Sequence, residues 1–238
     1  MDNRFARNEM LIKREGQEAL FSSSVIVFGV GGVGSSAVES LARSGVGHFT
    51  LVDSDVVDIT NINRQLLAVT DTVGKPKVSV QAQRIRAINP DAEVLEKPMF
   101  YLPENADEID LSRYDYIIDA IDTVSAKIEL IVRAKKQGVP IISCMGTGNK
   151  LHPEQLTISD IYKTKICPLC RVMRHELKKR GVESLAVVYS EEIPVTPKGD
   201  TKDKRAIPGS MPFVPPAAGF LMASRVVLDL INNFGGEK

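Results

Sequence analysis

Short apolar runs alternate with helical patterns over the first part of the chain. Apolar runs ending near glycine, proline or aspartate predict strands at 24–30, 48–53, 93–97, 114–120 and 139–144. Apolar positions three and four apart predict an opening amphipathic helix over 1–20 and further helices over 35–44, 74–88 and 124–136. Alternating strands and helices predict an α/β fold, with a doubly wound, mostly parallel sheet.

The regular alternation of strands and helices ends at about residue 150. Short strands are predicted at 156–161 and 185–190, together with a basic helix over 169–180, a proline-rich mobile loop over 194–212 and a closing helix over 217–232. We therefore expect residues 1–150 to form a core and residues 151–238 to form a C-terminal extension, the two belonging to one continuous domain.

Composition and charge narrow the class of protein. The 238 residues are 43% hydrophobic and 25% charged, which is typical of a globular domain. Thirty Lys and Arg balance thirty Asp and Glu, so no general attraction to nucleic acid or membrane is expected. Three cysteines do not make a disulfide framework and favour a cytoplasmic location. The apolar stretch at 213–223 is interrupted by prolines, so we expect no membrane span.

A glycine-rich turn follows the first predicted strand and opens a helix. Its G-x-G-x-x-G pattern is formed by Gly29, Gly31, Gly32 and Gly34, with Asp53 about twenty residues further on. Glycines allow the backbone to approach phosphates at a helix N-terminus, and a carboxylate at the end of the next strand binds ribose hydroxyls. The chain is therefore expected to carry a Rossmann-like nucleotide site.

Charged and amide side chains after Asp53 favour ATP over a dinucleotide. They are Asp55, Asn61, Asn63, Arg64, Lys77 and Asp122, the last following the fourth strand. A triphosphate carries more charge than a dinucleotide, so it needs Arg, Lys and a metal held by carboxylate. Taken alone, Arg64 and Lys77 could be surface charges, and Asp122 could be a helix cap.

These motifs resemble those of the ubiquitin-activating superfamily, which includes the ThiF, MoeB and HesA proteins. The matching runs are G-x-G-G-V-G-S, D-x-D, N-I-N-R-Q, G-K-P-K and D-x-x-D, in this order over residues 1–150. The resemblance implies that the core adenylates a carboxylate with ATP. It also implies that Asp53 holds the ribose, Arg64 and Lys77 the phosphates and Asp122 a Mg²⁺ ion, with Asn61 or Asn63 near the phosphates. Arg7 would serve the ATP of a neighbouring subunit, in a homodimer.

Further stretches resemble one branch, the tRNA threonylcarbamoyladenosine dehydratases. They are RFARNEMLIKREGQEAL, QLTISDIYKTKICPLCRVMRHELKKRG and PGSMPFVPPAAGF. This resemblance implies activation of the threonyl carboxylate of a modified adenosine in tRNA and its closure into a ring with loss of water. A sulfur-transfer protein is a further candidate partner.

Basic residues cluster on the predicted helix of the extension. Arg171, Arg174, Lys178 and Lys179 have the spacing of one helical face, a candidate tRNA-binding surface. A solvated helix face would have the same pattern.

The cysteine pattern predicts neither a zinc site nor a cysteine that forms a thioester with the substrate. Cys167 and Cys170 form a single C-x-x-C, and His152 and His175 do not complete a usual four-ligand pattern, so zinc is not expected. A redox pair and half-buried ordinary thiols both stay open. Cys144 ends a predicted strand, where a buried thiol without catalytic role is expected.

Three other functions stay open at this point. An adenylyltransferase for the C-terminal Gly-Gly of a sulfur-carrier protein would use the same ATP residues. A nicotinamide-dependent oxidoreductase would share the glycine turn, and a non-catalytic adaptor would bind ATP without turnover. The missing thiol acceptor argues against ubiquitin-type transfer.

Overall fold

The computed structural model describes residues 3–195 and 208–234. The strands are β1 Ser24–Phe28, β2 His48–Val52, β3 Glu93–Lys97, β4 Tyr116–Asp119, β5 Ile141–Cys144, β6 Leu156–Asp160 and β7 Ala186–Ser190. The helices are α1 Ala6–Ser22, α2 Gly34–Ser44, α3 Lys77–Ile88, α4 Val124–Gln137, α5 Pro168–Lys179 and α6 Val214–Phe234.

The seven strands form one sheet in the order β3-β2-β1-β4-β5-β7-β6. All neighbouring pairs are parallel except β6 and β7, which are antiparallel. This confirms the predicted α/β, Rossmann-like, mostly parallel sheet. Since β6 and β7 join this sheet, residues after 150 extend the core directly; the division at residue 150 between ATP binding and substrate binding stays a prediction.

The chain order reverses at β1, from which β2 lies on one side and β4 on the other. Phe28 at the end of β1 is level with Val52 and Asp119 at the ends of β2 and β4. The loops that follow these three strands therefore open at the same place on the sheet edge, where ligands of open α/β sheets bind.

Alternate residues of β1 pack into two cores on opposite faces of the sheet. Val25 and Val27 pack with α2, α3 and α6, whereas Ile26 and Phe28 pack with α4 and α5. Two-sided burial explains why these strands are continuous apolar runs rather than alternating ones.

α6 is a core helix that packs against α2. Within the described residues, Val214–Asn232 is long and apolar enough to cross a membrane by length and composition. Its apolar side, which includes Val214, Ala218, Met222, Val226 and Leu230, is however fully or almost fully buried in the sheet core.

Three element predictions need correction. The opening helix is broken at Lys13, whose φ of 58° and ψ of 177° are not helical; Met10 and Leu11 before the break are exposed, whereas Gly16, Ala19 and Leu20 after it are buried. α3 begins at Lys77 behind Pro76 rather than at residue 74, because Thr70–Thr72 form a separate 3-10 turn before it. β1 stops at Phe28 because Gly29 has a positive φ. Of the predicted mobile loop at 194–212, residues 196–207 lie outside the described part.

Candidate active site

A cleft of about 590 Å³ opens at the carboxyl ends of β1, β2, β4 and β5. Its size lies within the usual range for small-molecule sites. Nine of the residues singled out from the sequence line it: Gly29, Gly31, Gly32, Asp53, Asp55, Asn61, Arg64, Lys77 and Asp122. Residues from motifs nearly one hundred positions apart thus meet in one place.

Two glycines give the loop after β1 its shape. Gly29 has φ of 85°, and a Cβ there would lie 2.6 Å from the carbonyl oxygen of Ala120. A Cβ on Gly34 would lie 1.8 Å from the carbonyl oxygen of Gly29. Gly34 is the first residue of α2 and is buried behind the cleft wall, so its role is to let the loop fold back on itself. Gly31 and Gly32 lie on the cleft wall, where their backbone faces the ligand space.

Asp53 ties this loop to β2. Its carboxylate accepts hydrogen bonds from the backbone N–H of Val30 at 2.6 Å and of Asp55 at 2.8 Å. Burial raises the pKa of Asp53 above its usual value, while the two backbone bonds and the nearby Lys77 act in the opposite direction. Each carboxylate oxygen keeps a lone pair for a further donor such as a ribose hydroxyl.

Lys77 begins α3 and points into the cleft. Its Nζ lies 2.7 Å from Asp55 Oδ2, and only 7% of its side chain is exposed, against 59% for Asp55. An enclosed ammonium whose partner is exposed is suited to binding an anion, because the carboxylate can turn to water when a phosphate arrives.

Arg64 is fixed at the mouth of the cleft by two acceptors, the carbonyl of Thr60 and the side-chain oxygen of Asn63, both at 2.8 Å. Asn61 is buried and lines the cleft; its Oδ1 accepts from the N–H of Asp58 and so fixes this turn. Asn63 is exposed and does not reach the cleft wall, since its amide donates to the carbonyl of Ser210 at 2.9 Å.

Asp122 is exposed on the cleft wall, and its closest side-chain partner is the hydroxyl of Thr123 at 3.3 Å. The N-cap position of α4 is occupied by Thr123, so Asp122 does not serve as the helix cap. Within the described residues it forms no ion pair. Its carboxylate is available to a cation.

A buried polar network lies directly beneath this loop. Asp119 at the end of β4 forms an ion pair with Lys127 of α4 at 2.9 Å, and both side chains are 0% exposed. Lys127 also donates to the carbonyl of Ile121 at 3.1 Å, and Asp119 accepts from the N–H of Ile121 at 3.2 Å. Ser143 of β5 donates to Asp119 at 2.5 Å. Asp119 and Lys127 therefore fix the segment that carries Asp122, and Ser143 holds Asp119 in place.

Buried polar atoms without a partner line the same cleft. They are Oε1 of Gln65, the hydroxyl of Tyr101 and Oγ of Ser210. A buried polar atom left unpaired is costly, so these three indicate a polar ligand in the cleft. Burial, the main cause, also raises the pKa of Tyr101. The donor set fits a nucleotide, and the exposed carboxylate of Asp122 fits a hard cation beside it.

Several cleft residues were not identified from the sequence. Gln65 directly follows Arg64 in the N-I-N-R-Q run, which could have indicated it. Gly146 and Gly148 follow β5 as a second glycine pair, the same signal as the first. Met99, Phe100, Tyr101 and Leu169 form an apolar part of the wall, and no local pattern indicated them.

Arg7 lies far from the cleft of its own chain. It is exposed on α1, and the neighbouring Asn8 donates to the carbonyl of Arg43, near the end of α2 opposite to the glycine turn. α2 spans 11 residues, or roughly 16 Å of helix. Arg7 is therefore not part of the cleft of its own chain.

The basic residues of α5 divide into two groups. Arg174 is half-buried and donates to the carbonyl and hydroxyl of Thr164, and Lys179 pairs with Glu176 at 3.0 Å. Arg171 and Lys178 are exposed and form no ion pair within the described residues. Only the second pair is free for an added anionic partner.

Cys167 and Cys170 are 2% and 0% exposed, so the expectation of half-buried thiols is wrong. They pack in the core between α4 and α5, which the sequence pattern of α5 did not show. The described residues contain no cluster of three or more His, Cys, Asp or Glu side chains that could hold a metal. His152 pairs with Glu154, and His175 is exposed.

The cleft and the sheet define a nucleotide-binding protein with an adenylation-type site, and the chain belongs to the ThiF family, whose model matches residues 5–233. It is similar along its length to the tRNA threonylcarbamoyladenosine dehydratase of Bacillus subtilis, with 44% identity over 245 residues, 98% of this chain and 96% of the relative.

A comparison with solved structures also finds similarity to a dehydratase of this name. The tRNA N6-threonylcarbamoyladenosine dehydratase of Escherichia coli in complex with AMP matches with a TM-score of 0.90 and 33% identity, covering 98% of this chain and 96% of that one. The same protein in complex with ATP matches with a TM-score of 0.88 and 32% identity, with the same coverage. The sulfur carrier protein adenylyltransferase of Thermus thermophilus is 38% identical over only 128 residues, 54% of this chain and 47% of that relative.

Proposed function

We propose that the protein is an ATP-dependent dehydratase acting on tRNA. It adenylates the threonyl carboxylate of N6-threonylcarbamoyladenosine and promotes closure of a ring, with release of AMP and pyrophosphate. The observation that carries this proposal is the cleft, which gathers the glycine turn, Arg64, Lys77 and Asp122 in a chain similar over its whole length to dehydratases of this name.

ATP is proposed to bind with its phosphates against the glycine turn at the start of α2. Asp53 would hold the ribose, Arg64 and Lys77 the phosphates, and Asp122 a Mg²⁺ ion. Asn61 would support the turn that carries Arg64, and Asp55 would support Lys77. These groups would stabilise charge on the phosphates as the carboxylate oxygen attacks the α-phosphorus and the bond to pyrophosphate breaks.

The second step needs no nucleophile from the enzyme. The carbamoyl group of the substrate attacks the acyl adenylate, AMP leaves with one carboxylate oxygen, and the nucleoside loses the elements of water. The cleft agrees with this route. Burial raises the pKa of its thiol, Cys144, to about 12, so the thiol stays protonated and is a poor nucleophile at neutral pH.

The active form is proposed to be a homodimer in which Arg7 completes the cleft of the partner. Exposed apolar side chains flank the Arg64 loop: Val56 is 53%, Ile59 69% and Val69 52% exposed. Such a patch beside a site is typical of an interface. If a second copy covers this patch, we expect its Arg7 to reach the cleft. The Arg7 of the chain that forms the cleft does not line it.

The tRNA is proposed to contact α5 through Arg171 and Lys178. Arg174 and Lys179 would contribute only if they exchanged Thr164 and Glu176 for phosphate, because they are already bonded. Exposed unpaired cations are the groups that release counterions on binding phosphate. A cytoplasmic location and a sulfur-transfer protein as further partner stay predictions from the sequence.

The experiment that tests this proposal compares AMP release with three acceptors. The protein is incubated with ATP and Mg²⁺ and with tRNA carrying threonylcarbamoyladenosine, the same tRNA lacking the modification, or a carrier protein ending in Gly-Gly. AMP with the modified tRNA alone supports the dehydratase. AMP only with the carrier would favour the sulfur-carrier adenylyltransferase, and AMP with none would contradict adenylation.

A further inference from the structure

Two cysteines of the chain take no part in the proposed reaction. Cys167 occupies the N-cap position of α5, and Cys170 lies one turn later. Residues three apart in a helical turn have Cα atoms about 5 Å apart, which is within the Cα separation of about 4.4–6.8 Å that a disulfide bridges. Both are free thiols, and C-x-x-C at the start of a helix is an arrangement in which the first sulfur is readily ionised.

The surroundings of Cys167 favour its thiolate. The thiol and N–H of Cys170 and the N–H of Gly146 face its sulfur, and their electrostatic effect, that of the Cys170 thiol first, lowers the pKa of Cys167 despite its burial. The proton stays on Cys170, whose pKa is raised for the same reason. Cys167 is thus suited to act as the nucleophile and Cys170 as the resolving thiol.

A buried lysine completes this arrangement. Lys150 is 3% exposed, and its Nζ has only a long hydrogen bond of 3.5 Å to the carbonyl of Ser190. Within residues 3–195 and 208–234 it pairs with no carboxylate. A buried ammonium needs a counter-charge, and its charge acts on Cys167. Its positive charge therefore favours the thiolate form of Cys167.

The dithiol adjoins the nucleotide cleft. Gly146, whose N–H faces the sulfur of Cys167, lies on the cleft wall, as does Leu169 between the two cysteines. On the other side, Ile166 is 55% exposed and holds a φ of 62°, unusual for a β-branched residue, so the chain turns sharply just before Cys167. The buried dithiol thus lies between residues of the cleft wall and an exposed turn of the chain.

We propose that Cys167 and Cys170 are a reversible redox pair that controls nucleotide binding. Cys167 attacks a small-molecule disulfide of the glutathione class, whose S–S bond breaks and releases one thiolate. Cys170 then attacks the Cys167 sulfur, giving its proton to the second departing thiolate. Two electrons pass to the small disulfide, which becomes two thiols, and the protein keeps a Cys167–Cys170 disulfide.

Disulfide formation would remove the negative charge of Cys167 beside the cleft wall, where it faces the N–H of Gly146. Loss of a hydrogen bond to a charged group corresponds to about a tenfold change in an equilibrium constant. We therefore expect the oxidised protein to bind ATP about tenfold more weakly than the reduced protein.

The test equilibrates the purified protein in buffers of varied reduced and oxidised glutathione, quenches with acid, alkylates free thiols and measures the intact mass. We expect a species lighter by two hydrogen atoms, with Cys144 alone alkylated, that reverts on reduction. Cys144→Ser, the matched control, should still form it. Cys170→Ser should stop at a glutathione adduct on Cys167, and Cys167→Ser should form neither, with circular dichroism verifying that each variant is folded.

Three alkylated thiols at every glutathione ratio, or a disulfide in Cys167→Ser, would overturn the redox pair. Calorimetric titration of ATP into the reduced and the oxidised protein tests the coupling, and equal affinities would overturn it. The coupling rests on the proposed ATP site. If the reduced protein binds no ATP, that site fails, while the mass measurement still decides whether the cysteines form a redox pair.

Discussion

The buried pair of Asp119 and Lys127 offers the sharpest test of how the fold supports the site. Both side chains are 0% exposed, and the pair lies 2.9 Å apart beneath the Asp122 loop. Lys127→Met keeps a side chain of similar length and an apolar stem but removes the ammonium. The Asp119 carboxylate is then buried without a counter-charge. Breaking such a pair from one side costs about 3–5 kcal/mol, which lowers Tm by roughly 10 °C in a protein of this size.

The double variant Asp119→Asn with Lys127→Met separates charge from packing. The introduced amide oxygen still accepts from the N–H of Ile121 and the side chain still contacts Ser143, but no uncompensated charge remains. We expect the double variant to recover more than half of the lost stability, because a neutral buried network avoids the desolvation cost of an unpaired ion. Both variants lose the bond from Lys127 to the Ile121 carbonyl and should therefore lose AMP formation even where stability returns.

Urea unfolding followed by fluorescence and circular dichroism measures the free energies, and AMP release under saturating ATP measures activity. A loss below about 1 kcal/mol for Lys127→Met would refute the buried pair, since that is the range of exposed ion pairs. A double variant no more stable than the single one would refute the charge argument. Full activity in the stable double variant would refute the link to Asp122.

Three further outcomes are expected. Asp122→Ala should lower AMP formation at least about 100-fold and leave Tm nearly unchanged, because the side chain is exposed. Charge reversal at Arg171 and Lys178 should weaken tRNA binding and reduce its salt slope by about one for each phosphate that is no longer bound, as measured by filter binding. Burial raises the pKa of Glu39, but its bonds to Arg84 and Arg43 outweigh burial, so the pKa is lower than usual. The Glu39 carboxylate therefore stabilises the folded protein above pH 4.5, and this contribution is lost as the pH falls through the lowered pKa. Urea midpoints of wild type and Glu39→Gln should therefore converge in acid.

The first two of these predictions have matched controls. Asp91→Ala removes an exposed carboxylate beyond the end of α3 opposite to the cleft and should leave AMP formation unchanged. Reversal of Lys135 and Lys136, exposed on α4, should leave tRNA binding unchanged. Normal AMP formation by the Asp122 variant would remove it from the mechanism. Unchanged tRNA binding after reversal on α5 would mean that this face is simply solvated, and parallel pH curves would contradict the role of Glu39.

The sheet could be predicted because each of its signals is local. An apolar run, a glycine turn and a helix pattern occur within about thirty residues, and Asp53 at the end of the next strand completes the nucleotide motif. The strand order and the meeting of Asp53, Lys77 and Asp122 then follow from the general geometry of parallel sheets. The cleft contains all three as expected.

Other features depend on packing between distant segments and left no local pattern. The break at Lys13 arises because the two halves of α1 have different neighbours. Tyr101 and Ser210 reach the cleft from loops more than one hundred residues apart. The environment of Cys167 needs Gly146 and Lys150 from the loop after β5, so a C-x-x-C alone could not distinguish ordinary thiols from a prepared pair.

The measurement that tests the central claim most directly is nucleoside mass analysis of tRNA carrying threonylcarbamoyladenosine, after incubation with the protein, ATP and Mg²⁺. AMP is quantified in the same tube. We expect a nucleoside lighter by one water, formed in equal amount to AMP. A nucleoside of unchanged mass, with or without AMP, would contradict the proposed dehydration.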